Sequence, residues 1–338
     1  MGQLSTICWD CTQRCNLKCR HCGLGSRRDN VRRDMPLGDF LNILTRFETI
    51  YDLQKVFVGL TGGEPTLRED ILECIRKIKM MGCQVGMVSN GYKLADRIGE
   101  FRRAGLDVLS ISLDGPKEVH NWMRQSDSAY QHAVEAISAC RRFDNLPVDV
   151  ITSATPKVLD HLDELYDLLM LLKVKSWRLT DVIPIGWAKE NPEVLFTWPQ
   201  REKLLNRIAE YKAAGDMQIT QNCGFFCGPD SPGLFGRCLA GDQIMTVKPN
   251  GDIAGCMGSE DFVAGNVYQS DILDIWTQGM LMYRDRSWMK CGVCDGCPGF
   301  DRCMGGPIHL RDKNTLEVIT CPYRDFVKET SIYESQEV

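Results

Sequence analysis

Between residues 5 and 215, short apolar runs alternate with longer stretches whose apolar positions recur every three or four residues. "STICWDCT" reads as a strand. "MPLGDFLNILTRFETIY" reads as a helix with Pro36 near its start. "KVFVGLT" is then a strand and "REDILECIRKIKMMG" a helix closed by Gly82. The couple recurs as QVGMVSN with YKLADRIGEFRRAG, LDVLSISLDG with SAYQHAVEAISACRRF, and LPVDVITSA with PKVLDHLDELYDLLMLLK. VKSWRLTDVI with PQREKLLNRIAEYKAAG completes six strand–helix units. Such alternation predicts a parallel sheet covered by helices. The first strand-to-helix turn holds cysteines where a dinucleotide fold wants G-x-G-x-x-G. A partial (β/α)6 barrel of the TIM type is therefore preferred to a doubly wound sheet.

From about Gln221 the texture changes: glycine, proline and cysteine become dense and long helical periodicity disappears. "QIMTVKPNGDIAGC" reads as a hairpin turning at Pro249–Asp252, and "ILDIWTQGMLMYRDR" as one helix. Apolar positions are too few for a core of this size, so metal clusters are expected to substitute for one. The expected division is a barrel over 1–215, a cysteine-rich domain over 216–330 and a tail over 331–338.

Composition narrows the function classes. The chain has 338 residues, 43% hydrophobic and 25% charged, with a net charge of −5. That balance gives no pull toward nucleic acid or an anionic membrane. With neither a signal peptide nor a long apolar run, the expected location is cytoplasmic. The 17 cysteines are the anomaly. Five lie between Cys8 and Cys22 and nine between Cys223 and Cys321. In a chain without an export signal, such clusters point to metal or redox chemistry.

Cys15, Cys19 and Cys22 form C-x3-C-x2-C directly after the first strand. In a parallel barrel that loop lies at the C-terminal face, where chemistry collects. Gly62–Gly63–Glu64, Ser89–Asn90, Ser110, Ser112, Asp114, Thr152 and Arg178 are expected at or near the same rim. Three ligands are one short of what zinc or most iron–sulfur clusters take. A structural zinc site would need Cys8 or Cys11 as the fourth. Both lie within the predicted strand, where a fold back to Cys22 is awkward.

The three cysteines, "TGGEP" after the second strand and "SISLDG" on the fourth together resemble the radical S-adenosylmethionine (SAM) enzymes, over roughly residues 5–188. The resemblance implies a [4Fe–4S] cluster held by Cys15, Cys19 and Cys22, with its fourth iron open to SAM. One-electron reduction would then cleave SAM to a 5′-deoxyadenosyl radical that abstracts hydrogen from a substrate. It further implies that Gly62, Gly63 and Glu64 hold the SAM amino group, with Asn90 among the SAM-binding residues. Ser112 and Asp114 would meet the ribose hydroxyls, and Arg178 the carboxylate. His21 replaces the aromatic that often precedes the third cysteine.

The later cysteines run Cys223-x3-Cys227-x10-Cys238-x17-Cys256, then Cys291-x2-Cys294-x2-Cys297-x5-Cys303-x17-Cys321. With Gly251 opening a G-x4-C, they resemble the SPASM extension of radical SAM enzymes, which carries auxiliary [4Fe–4S] clusters. By that resemblance Cys294, Cys297, Cys303 and Cys321 hold the second auxiliary cluster. Cys223, Cys227, Cys238 and Cys256 are candidates for the first, and Cys291 competes with them. Where the pattern wants a further cysteine the chain has Pro307, which cannot ligate. Zinc sites remain an alternative, as does a free thiol at Cys223 or Cys227 that donates hydrogen. His309 reads as a capping or packing residue.

The first expectation for function is maturation of a ribosomally made peptide by crosslinking or epimerisation. It implies a flavodoxin- or ferredoxin-type electron donor and, where leader binding is needed, a separate protein. The alternatives are protein-residue oxidation of the sulfatase-maturase type, haem-type cofactor synthesis, and a non-catalytic zinc-binding adaptor.

Overall fold

The computed structural model describes residues 2–25, 33–143, 146–222, 238–259 and 261–327. Strands β1 (Thr6–Thr12), β2 (Phe57–Gly62), β3 (Gln84–Ser89), β4 (Val108–Ser112), β5 (Val148–Ala154), β6 (Ser176–Asp181) and β7 (Gln218–Asn222) pair in succession, all parallel. The connecting helices are α1 (Leu37–Glu48), α2 (Ile71–Met80), α3 (Ile98–Ala104), α4 (Lys117–Arg124), α5 (Ala129–Cys140), α6 (Pro156–Leu159), α7 (Leu162–Leu171) and α8 (Trp198–Ala214). Six strand–helix units and a seventh strand make the expected partial barrel.

The cysteine-rich segment joins the same sheet. β8 (Ile244–Val247) runs parallel to β1 on its free side, and β9 (Asp252–Ala254) and β10 (Val263–Asn266) continue antiparallel. The β8–β9 hairpin turns one residue earlier than expected. Gly251 N–H bonds Lys248 O at 3.0 Å, with Gly251 at φ +84°.

Alternation along the strands sets two faces. Ile7, Trp9 and Cys11 of β1 are fully buried against the helices. Trp9 stacks on Phe40 of α1, ring centroids 3.9 Å apart. Phe40, Ile43, Leu44 and Phe47 form the buried stripe of α1. The same apolar cluster continues through Met245, Val247, Ile253, Phe262, Ile275, Trp276 and Tyr283. The expectation that the whole segment lacks a core therefore fails for residues up to about Tyr283, because its hairpin completes the barrel's sheet. Beyond it the chain runs in short turns, Ser287–Met289, Gly292–Cys294 and Ile308–Leu310. Its own apolar cluster is Met289, Cys294 and Phe300.

Several elements differ from the sequence pattern. The helix α4 was not anticipated. The expected helix after β3 is confined to α3, and the one after β5 is split into α6 and α7. The "ILDIWTQGMLMYRDR" helix breaks into Ile272–Asp274, a π turn over Ile275–Gly279, and Leu281–Arg284. At Gly279 an added Cβ would lie 2.2 Å from Ala264 O, so at this point β10 and the turn approach backbone to backbone, while the Ile275 side chain packs on Gly265. Among the described residues no helix is long and apolar enough to cross a membrane.

Candidate active site and cluster-binding cysteines

Cys15, Cys19 and Cys22 leave the top of β1 and gather around Leu17 and Ala129. All three line a cavity of about 770 Å³. Helix α4 clamps their loop. Arg20 donates its N–H to Met123 O at 2.9 Å and its Nε to Trp122 O at 3.3 Å. Arg124 Nη1 lies 3.7 Å from Cys19 Sγ. From the loop after β6, Trp187 N–H bonds Cys22 O at 2.9 Å. Burial pushes the Cys15 thiol up to about 12, with neighbouring charge on Cys19, Glu64 and Cys22 adding to it. Burial raises Cys19 too, against the pull of Arg124. Three thiols gathered on one cavity wall offer the donor set of an iron–sulfur cluster.

The Gly62–Gly63–Glu64 turn braces this loop. Gly63 N–H bonds Thr12 O at 2.7 Å and Glu64 N–H bonds Arg14 O at 2.8 Å. A Cβ at Gly62 would sit 2.1 Å from Asp10 Oδ1, and one at Gly63 2.2 Å from Arg14 O. The glycines thus allow close approach of two chains, and those N–H groups are internally bonded rather than presented to a ligand. The Glu64 carboxylate is buried, which raises its pKa. Its Oε1 accepts from Thr66 N–H (3.1 Å), Thr66 Oγ1 (2.7 Å) and Ser89 Oγ (2.9 Å). Among the described residues its Oε2 accepts from Asn90 N–H alone, at 2.8 Å, which leaves acceptor capacity at the cavity wall. The Asn90 amide holds Asn16 Oδ1 at 2.9 Å, inside the cysteine loop. Asn90 and Ser112 both line the cavity.

Asp114 and Arg178 are not brought to that cavity. Asp114 is fully buried and forks with Arg124, whose Nε and Nη2 lie 2.6 and 3.2 Å from its two oxygens. It also accepts Ser153 N–H at 2.9 Å. Burial raises the Asp114 carboxyl, but Arg124 and His120 outweigh it and hold the group well below the usual carboxylate range. The Asp114 N–H lies 2.9 Å from His120 Nδ1, and burial lowers the His120 ring's pKa against the pull of Asp114. Arg178 lies mid-strand, paired with Ile151 and Thr220. It is tied to Asp149 and to Ser110 Oγ, the latter at 2.9 Å, below the rim. The cationic residue on the cavity wall beside the cysteines is Arg124, at the end of the unanticipated helix. His21 shares that wall, its Nδ1 buried without a partner among the described residues. Burial and Arg124 lower the ring to about 3.

In the terminal segment Cys294, Cys297, Cys303 and Cys321 line one small cavity with Phe300 and Leu310. Arg311 Nη2 reaches Cys294 Sγ at 3.0 Å. Burial raises Cys303 and Cys321, each with charge from the other thiols adding to it. Cys291 stands beside this set, 3.9 Å from Arg311 Nη1. Elsewhere, burial pushes Cys256 up to about 11, its sulfur accepting from Gly258 N–H and sensing Cys238. Cys8, on the inner face of β1, is raised to about 12 by burial and then by Cys256. Cys223 and Cys227 lie outside the described residues, as do Arg27 to Arg32.

Residues 9–169 match the radical SAM superfamily, and residues 238–298 match SPASM, an iron–sulfur cluster-binding domain. The chain is 23% identical to the AdoMet-dependent heme synthase of Oleidesulfovibrio alaskensis, over 86% of this chain and 81% of that protein. It is 27% identical to the mycofactocin maturase MftC of Mycolicibacterium smegmatis, over 90% and 79%. Among solved structures it resembles anSMEcpe with bound AdoMet (TM-score 0.74, 17% identity, 96% of each chain). It also resembles Streptococcus suis SuiB bound to precursor peptide SuiA (TM-score 0.71, 16% identity, 91% and 73%).

Proposed function

We propose that this chain, a member of the radical SAM superfamily with a SPASM domain behind its barrel, modifies a ribosomally made peptide by hydrogen abstraction. The cluster that Cys15, Cys19 and Cys22 would hold supplies, when bound, the one-electron cleavage of SAM to a 5′-deoxyadenosyl radical. The protein's own groups bind, aim and shield. Glu64 Oε2 is placed to accept the SAM amino group, and Asn90 and Ser112 offer polar contacts on the adjoining wall. Arg124, fixed by Asp114, donates toward Cys19 and holds its loop. Thr246, Lys248, Asn250 and Asp252 of the C-terminal hairpin line the far side of the same cavity and limit the entry of water.

The charge of that cavity carries the choice of substrate. Its described lining includes the carboxylates Asp10, Glu64, Asp252 and Asp261. Against them stand Arg124, committed to Asp114, and Lys248, whose Nζ lies 3.2 Å from Ser259 O. An acidic wall suits a peptide with neutral or basic side chains and repels a polycarboxylate macrocycle. Likeness to a maturase and to a heme synthase at similar identity keeps haem-type cofactor synthesis as the second reading. A flavodoxin- or ferredoxin-type electron donor is the partner this function calls for.

The test is anaerobic turnover of the reconstituted chain with SAM and dithionite. One arm adds short peptides encoded beside the gene; the other adds an iron porphyrin carboxylate. Peptide-dependent release of 5′-deoxyadenosine, with a mass change in the peptide, supports the proposal. Stimulation by the porphyrin alone transfers the chain to cofactor synthesis.

A further inference from the structure

His309 is buried, with 8% of its surface exposed, and neither ring nitrogen has a partner among the described residues. An imidazole in that state leaves one donor and one acceptor unmet, at a cost of about 1–3 kcal/mol for each. The ring does not lie at random. It packs against Gly258, where an added Cβ would be 3.3 Å from its Cγ. Gly258 is also the residue whose N–H bonds the Cys256 sulfur, and Cys256 senses the charge of Cys238. Gly258 therefore touches both this imidazole and the Cys256 sulfur.

The chain reaches this place by design of its turn. Gly305 and Gly306 both have positive φ, +78° and +71°. Pro307 then opens the short turn Ile308–Leu310, which carries His309 inward while Leu310 packs on Trp198. Pro307 itself occupies the position at which the SPASM pattern called for a cysteine.

We propose that His309 is a metal ligand of the first auxiliary iron–sulfur cluster, beside Cys238 and Cys256, in place of the thiolate that Pro307 cannot supply. Imidazole is an established ligand type for iron, and a neutral nitrogen in place of a thiolate raises the reduction potential of a cluster. The proposal rests on the radical SAM and SPASM reading above and not on the identity of the substrate.

The experiment uses the full chain carrying Cys15, Cys19 and Cys22→Ala, reconstituted anaerobically and reduced without SAM. Only auxiliary clusters then contribute to the spectrum. Pulsed paramagnetic resonance is expected to show a strongly coupled nitrogen. His309→Cys is expected to abolish that coupling, keep the iron content and lower the reduction potential. His309→Ala is expected to lose up to about four irons per chain. Absence of the nitrogen coupling in the chain that retains His309 overturns the proposal, whatever the variants do. So does a coupling that survives His309→Cys, or zinc in place of iron beside Cys256.

Discussion

Cys15, Cys19 and Cys22 sit on a loop tied by backbone hydrogen bonds to Met123 and Trp187, with its base held by Gly63 and Glu64. Beneath it lies the continuous apolar core of the barrel. Cys294, Cys297, Cys303 and Cys321 sit in a segment of short turns whose own apolar cluster is Met289, Cys294 and Phe300. The first site is a cofactor socket on a scaffold that stands without the cofactor. In the second, Cys294 is part of the segment's own small apolar cluster with Cys297 packed against it, so the metal and the fold are expected to share one free energy.

The sharpest break of that comparison is the triple Cys15, Cys19 and Cys22→Ala variant. It should lose all SAM cleavage yet keep its circular dichroism and melting temperature, because Leu17 and the backbone bonds of the loop remain. A large drop in melting temperature would show that the loop, too, depends on its metal. Next in size is chelation of iron. Hydrogen exchange should rise sharply over residues 287–327 while β1 to β6 keep their protection. Equal loss in both regions would erase the distinction.

Arg124→Ala tests how the socket is held. It leaves Asp114 charged, buried and unpaired, and should destabilise the chain by about 3–5 kcal/mol in denaturant unfolding. Arg124→Lys keeps the charge but loses the fork, with a smaller cost and a shifted cluster spectrum. Gly63→Ala forces the turn away from Arg14 O and should cost about 1–3 kcal/mol. It should also weaken SAM binding, measured by equilibrium dialysis.

The smallest effect is in pH. The folded Asp114 carboxyl titrates well below its unfolded value, so its pairing stabilises fully above about pH 4 and the stabilisation fades as pH falls from there. Asp114→Asn should flatten acid unfolding in that range. An unchanged acid limb would remove Asp114 from the account.

The strand–helix alternation, the motif after β1 and the grouping of the last four cysteines were legible because each is local. A period, a spacing or a turn signal occupies consecutive residues. Helix α4 was missed because "KEVHNWMR" is short and follows a turn, so its pattern completes barely two helical turns. Arg124 was missed with it. Arg178 and Asp114 were placed near the rim by strand order and family resemblance, whereas their partners Asp149, Ser110 and Arg124 come from other elements.

By itself the sequence determined the barrel, the cysteine triplet at its mouth and a second cysteine-rich unit. Each follows from backbone periodicity or from ligands close in the chain. Only the tertiary structure decided that β8 joins β1, that the glycines of the Gly-Gly-Glu turn clasp the cysteine loop, and that Arg124 stands beside Cys19. It alone set His309 against Gly258, 51 residues away in sequence. These are contacts between distant segments, fixed by sheet closure and by which polar groups burial leaves in need of a partner.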